Sequence, residues 1–146
     1  MVEAADLIGT WRLVSWESRA DDGERTYPFG PDAVGFLMYG ADGYVCVEMM
    51  AADRPPFADG DILRGTTNER ARAATTYRSY CARWEFLGDR VRHHFQTSLF
   101  PNRVGTVEER YIEYGGDTMT LRTPPTLSDG KMRVNRLVWE RVAPVP

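Results

Sequence analysis

The stretch RVRHHFQTSLFPNRVGT, residues 90–106, contains both histidines of the chain, His93 and His94. Imidazole titrates near neutral pH, so a histidine facing a pocket is a candidate general acid or base. On a strand, adjacent residues point to opposite faces. Val91, His93, Phe95, Thr97 and Leu99 form an apolar face, and Arg90, Arg92, His94, Gln96 and Ser98 a polar one. His93 is therefore expected inward and His94 outward. Two diverging histidines cannot ligate one ion. No HxH, HExxH or cysteine pair at ligand spacing occurs, so no metal site is expected.

Other residues join His93 as candidates. In YCARWEFL, Tyr80, Ala82, Trp84 and Phe86 form the apolar face, which turns Tyr80 and Trp84 inward. In TVEERYIEY (106–114) either face carries a charge, and in GYVCVEMM (43–50) Glu48 shares its face with Tyr44 and Cys46 opposite Val45, Val47 and Met49; the inward face of both is left open. Glu48 and Arg110 are the candidates for a charge inside. A lone buried charge costs several kcal/mol, and an Arg110–Glu48 pair or an anionic ligand would meet that need. The expected catalytic set is His93 as acid–base group, oriented by Glu48, with Arg110 or Tyr80 stabilising negative charge on a carbonyl oxygen. Phe36, Tyr39, Trp84, Phe95 and Tyr111 are the expected ligand-binding residues. Cys46 and Cys81 are expected as free thiols packed like small hydrophobes, with a single bridge as the lesser alternative. Without GxGxxG or Walker spacing there is no phosphate loop, and no cofactor is expected.

The elements that must position these groups follow a period of two. Strands are expected at 10–18, 34–40, 43–50, 80–87, 90–100, 106–114, 118–123 and 133–142, with turns at Asp42-Gly43, Gly88-Asp89 and Gly115-Gly116-Asp117. The one helix is expected in TTNERARAATTYRSYC (66–81), capped by Thr67. Eight short strands joined by tight turns point to an antiparallel barrel, with room for side chains or one small ligand. The helix would plug one mouth or pack outside.

GTWRLVSWE, PFGPDAVGFLMYGADGYVCVEM, SLFPNRVGT and LVWER occur in this order, and together they resemble the lipocalin-like domain family. The resemblance spans roughly residues 7 to 142 and implies a short barrel. It also implies the Gly-x-Trp opening of lipocalins at Gly9-Thr10-Trp11, with Arg141 as the arginine laid over that tryptophan, a structural contact. Members often sit beside natural-product biosynthesis genes, and most lack a defined reaction.

Composition fits one domain over residues 1–146. The chain is 42% hydrophobic and 12% aromatic, with net charge −3, which argues against nucleic-acid binding. Lys131 is the only lysine against seventeen arginines, a pattern read as GC-rich coding and a bacterial source. No signal peptide and no membrane span are expected, which places the protein in the cytoplasm, with a homodimer left open. The expected function is binding of a small, largely apolar, polyketide-like molecule and its cofactor-free cyclisation, isomerisation or dehydration. The alternatives are a non-catalytic carrier or sensor and a barrel with a filled core.

Overall fold

A computed structural model describes residues 1–146. The chain begins with a four-residue helix α1 (Ala4–Leu7) and the long strand β1 (Gly9–Ala20). β2 (Arg25–Thr26), β3 (Val34–Tyr39) and β4 (Tyr44–Met50) follow, then helix α2 (Thr67–Thr75). The second half comprises β5 (Tyr77–Phe86), β6 (Arg90–Ser98), a 3-10 turn at Pro101–Arg103, β7 (Val107–Tyr114), β8 (Thr118–Arg122), β9 (Thr126–Ser128) and β10 (Lys131–Arg141). Neighbours pair in the order β1-β3-β4-β5-β6-β7-β8-β10, and β10 pairs back onto β1. The result is a closed eight-stranded antiparallel barrel, with β2 and β9 as short extensions at its ends. Closure pairs the long strand edges that would otherwise template aggregation. No helix is long and apolar enough to cross a membrane.

The alternation of the sequence sets the wall. Val45, Val47 and Met49 of β4 are buried, while Tyr44, Cys46, Glu48 and Met50 face outward. One break in that alternation lies in β6. Cys81 pairs with Thr97 but Ala82 pairs with Phe95, so Gln96 is the extra residue of a bulge. The bulge turns Ser98 toward the face of Tyr80 and leaves Thr97 exposed, which corrects the inward face expected for Thr97.

The helix is shorter than expected. Thr66, not Thr67, is its cap: Thr66 Oγ1 accepts from the Glu69 amide at 3.1 Å, and Glu69 Oε1 accepts from the Thr66 amide at 2.9 Å. It ends at Thr75, and residues from Tyr77 onward belong to β5. The cysteines also differ from expectation. Cys46 and Cys81 lie opposite each other on β4 and β5 and form a disulfide, so they are not free thiols.

One end of the barrel is sealed. The Trp11 indole donates to the Leu7 carbonyl at 2.9 Å. Arg141 spreads over the Trp11 ring with its guanidinium carbon 4.2 Å from the centroid, and Nη1 donates to the Ile8 carbonyl at 3.1 Å. Gly9 makes this approach feasible: its φ of +130° suits glycine, and a Cβ there would sit 3.1 Å from Arg141 Nη1. Above this floor Tyr39, Val45, Val91, Phe95 and Met119 pack as a solid core. The other end is hollow.

Candidate ligand-binding site

The hollow end holds a cavity of about 910 Å³. That is large enough for a drug-sized molecule. Leu37, Val47, Met49, Leu121 and Leu137 form much of its apolar wall, while Ala74 and Thr75 of α2 and residues of the β9 extension stand at its rim. Helix α2 is therefore part of the mouth. It is held there by Arg54, whose Nη2 donates to the Ala73 carbonyl at 3.1 Å and whose Nε donates to Thr76 Oγ1 at 3.1 Å.

Of the four residues expected to carry chemistry, the structure brings three together. Tyr80 and Arg110 line the cavity. His93 lies directly behind Tyr80, fully buried, and does not reach the cavity. Tyr80 Oη is 2.9 Å from His93 Nδ1, and Tyr39 Oη is 2.8 Å from His93 Nε2. Burial, followed by the positive charges of Arg110 and Arg103, holds the His93 pKa well below its usual 6.5, so the ring is neutral. A neutral imidazole offers one donor and one acceptor. Tyr39 is buried, and its hydroxyl has no hydrogen-bond partner but His93. Its O–H must therefore donate to Nε2 to avoid an orphaned buried donor. Nδ1 then carries the proton and donates to Tyr80 Oη. The O–H of Tyr80, a residue of the cavity wall, is then not taken up by His93.

Glu48, the fourth, stands elsewhere. It faces outward and accepts from Tyr77 Oη and Ser79 Oγ, each at 2.7 Å. The expected Arg110–Glu48 pair is replaced by Arg110–Glu108, with Nη2 donating to Oε2 at 2.6 Å. Glu108 and Arg110 are two apart on β7 and so share its inner face. Arg103, at the 3-10 turn, places Nε 3.4 Å from Glu108 Oε1 and lies over the Phe95 ring at 5.2 Å. Burial opposes ionisation of Glu108, but Arg110 and then Arg103 outweigh it and hold its carboxyl below the usual value. Burial raises the Tyr80 pKa, partly offset by Arg110 and Arg103, so Tyr80 is a protonated donor at neutral pH.

The expected ligand-binding residues divide in two. Phe36 lies on the outer wall beneath Arg12, 40% exposed, and Tyr111 lies on the outer wall between Arg90 and Arg122. Neither lines the cavity, which corrects both expectations. Tyr39, Trp84 and Phe95 do point inward, but they pack in the solid part below the cavity and do not line it. Trp84 is anchored there by its indole N–H to the Gly40 carbonyl at 3.0 Å. The residues that do line the cavity and that sequence reasoning passed over are Trp16, Arg78, Arg103, Glu108 and Trp139. Glu108 was legible as the face-mate of Arg110. Arg78 has the same parity as Tyr80 and Ala82, a signal masked by the longer helix expected there. No three His, Cys, Asp or Glu side chains converge to hold a metal ion.

A protein of Aspergillus oryzae described as a 4'-hydroxy-3'-methoxypropiophenone carrier protein, ppsC, is 29% identical over 104 residues, covering 65% of this chain and 94% of that protein. A lipocalin-like protein from Bacteroides uniformis is 12% identical, covers 94% of this chain and 99% of its own, and superposes with a TM-score of 0.47. A second structure, an uncharacterized protein from Bacteroides eggerthii, covers 93% and 99% at 12% identity and a TM-score of 0.46. These two likenesses are too distant to bear on the site. Residues 8–142 match the family described as lipocalin-like domain, and with the closed barrel and the Trp11–Arg141 floor already in view, the chain belongs to that family.

Proposed function

We propose that the protein is a carrier for a small, largely apolar metabolite with at least one hydrogen-bond-accepting oxygen. The observation that supports this most is the largely apolar cavity of about 910 Å³ with Tyr80 and Arg110 in its wall. An apolar pocket with a few convergent polar groups is the usual design of a small-molecule site. The relative in Aspergillus oryzae is described as carrying an aromatic ketone, and such a molecule offers the apolar ring and acceptor oxygen that this wall suits. A carbonyl oxygen meeting the Tyr80 O–H would take the donor that His93 leaves unused.

A second reading is cofactor-free cyclisation, isomerisation or dehydration of the held molecule. It is favoured by the same tyrosine. A hydrogen bond from Tyr80, backed by His93 and flanked by Arg110, would stabilise negative charge developing on a carbonyl oxygen. In this reading Tyr80 and Arg110 touch the substrate, and His93 is a positioning residue acting through Tyr80.

Native mass spectrometry of the protein after incubation with an extract of its source cells separates the two readings. A carrier releases the bound molecule unchanged on denaturation. An enzyme releases a product of altered mass or, for an isomer, altered retention time. Absence of any bound small molecule, together with no binding of an apolar probe, would overturn both.

A further inference from the structure

The charges on the cavity wall do not balance. Arg78, Arg103 and Arg110 line it, and Glu108 is the sole carboxylate among the lining residues. Glu108 is already engaged, by Arg110 at 2.6 Å and by Arg103 at 3.4 Å. Arg78 is left over. It lies on β5 two residues before Tyr80, on the same inner face, with its guanidinium carbon 4.8 Å from the Trp16 ring centroid. That stacking covers one face of the guanidinium and leaves its N–H fork without any hydrogen bond or ion pair. The wall thus carries three guanidinium groups against one carboxylate, and the one guanidinium without a partner is that of Arg78.

Arg78 is half-buried and has no counter-charge, and in that partly dehydrated setting an anion placed beside it is attracted more strongly than in bulk water. A guanidinium fork matches the two oxygens of a carboxylate in particular. We infer that the ligand of this cavity carries an anionic oxygen group, a carboxylate or a phenolate, received by Arg78 and flanked by the Arg110–Glu108–Arg103 cluster, with its apolar body against Val47, Met49, Leu121 and Leu137. This rests on the reading of the cavity as a small-molecule site and narrows it from an apolar molecule to an amphipathic anion. The Arg78 pKa agrees: burial, and then Arg103, lower it to about 10, the direction that a bound anion would reverse.

The test uses two fluorescent probes with one skeleton. 8-Anilinonaphthalene-1-sulfonate is an anion, and N-phenyl-1-naphthylamine is the same molecule without the sulfonate. The intact protein is expected to bind the anion at least about ten-fold more tightly. Arg78→Met is expected to abolish that preference, and Arg78→Lys to retain most of it. Displacement of the bound anion by decanoate assigns a carboxylate, and displacement by 4-nitrophenolate a phenolate. Equal binding of the two probes by the unaltered protein would overturn the inference while leaving the cavity a ligand site. Binding of neither probe would overturn the small-molecule reading itself. An anion preference that survives Arg78→Met, or that neither competitor displaces, would also overturn the assignment. The comparison of probes on the unaltered protein stands even where a variant fails to fold.

Discussion

Tyr80 and His93 form a hydrogen bond of 2.9 Å across the β5–β6 wall, with the tyrosine at the cavity and the histidine sealed behind it. Tyr39 closes the relay from the far side at 2.8 Å. The two tyrosines are alike in chemistry and unlike in position, so their removal should have different consequences. Tyr39→Phe leaves a buried ring nitrogen without its donor and should cost about 1–3 kcal/mol in urea unfolding. It should not alter selectivity among ligands. Tyr80→Phe removes the hydroxyl of a cavity-wall residue. Unaltered protein should bind 2-acetylnaphthalene about ten-fold more tightly than 2-ethylnaphthalene, and Tyr80→Phe should bind them equally in a fluorescence titration. A ketone preference retained in Tyr80→Phe would place the acceptor elsewhere.

The buried, neutral His93 makes stability pH-dependent on the acid side. In the unfolded chain its pKa is near 6.5, and in the folded chain burial holds it well below that. Between these two values the unfolded state binds the extra proton. Stability contributed by the neutral ring is therefore fully present above about pH 6.5 and is lost as pH falls toward the folded pKa, by up to about 1.4 kcal/mol per pH unit. Urea unfolding at pH 7 and at pH 5.5 measures this. His93→Gln should flatten the slope over that interval, and an unchanged slope in the variant would assign the dependence to the carboxylates.

The sealed floor should be a strong contributor to stability and irrelevant to binding. Arg141 joins a ring contact at 4.2 Å to a hydrogen bond with the Ile8 carbonyl. Arg141→Met keeps the stem and loses both, and should cost about 2–4 kcal/mol in thermal or chemical unfolding. Probe affinity at the opposite end should not change while the variant is folded.

The disulfide closes a loop of sequence separation 35 between neighbouring strands on the outer wall. Loop-closure entropy of that size corresponds to about 2–4 kcal/mol. Cys81→Ser, or reduction of the native protein, should lower the urea midpoint accordingly. The barrel should persist, because the hydrophobic core on the inner face is untouched; loss of the far-ultraviolet strand signal on reduction would show the bridge to be essential for folding.

The barrel was legible because its wall repeats one simple rule. Alternating residues such as Val91, His93 and Phe95 on β6 reveal both strand and face, and the turns at Asp42-Gly43 and Gly88-Asp89 mark the hairpins. The helix boundary was not legible, because no glycine or proline separates α2 from β5 in ATTYRSYC. That one boundary hid Arg78, which became readable only as a strand neighbour of Tyr80. Alternation also gives a face but not a depth. It put Trp84 and Phe95 inside, yet which level of the barrel is solid depends on how large side chains from opposite strands meet. Glu48 and Glu108 posed the same problem. The inward face of neither strand was settled by pattern, and only the folded chain shows that the partner of Arg110 is Glu108, two residues away on its own strand. The Cys46–Cys81 bridge likewise depends on the β4–β5 register, which no local pattern fixes.

The central claim is that the hollow end of the barrel holds a small molecule. Leu121 is buried in the cavity wall, so a larger side chain there would project into empty space and occupy it. The most direct measurement is a titration of N-phenyl-1-naphthylamine into the unaltered protein and into Leu121→Trp, with circular dichroism to verify the fold. The expected result is saturable one-to-one binding to the unaltered protein and at least about a ten-fold weakening in the variant. Binding of equal strength in the two proteins, or no saturable binding by either, would contradict the claim.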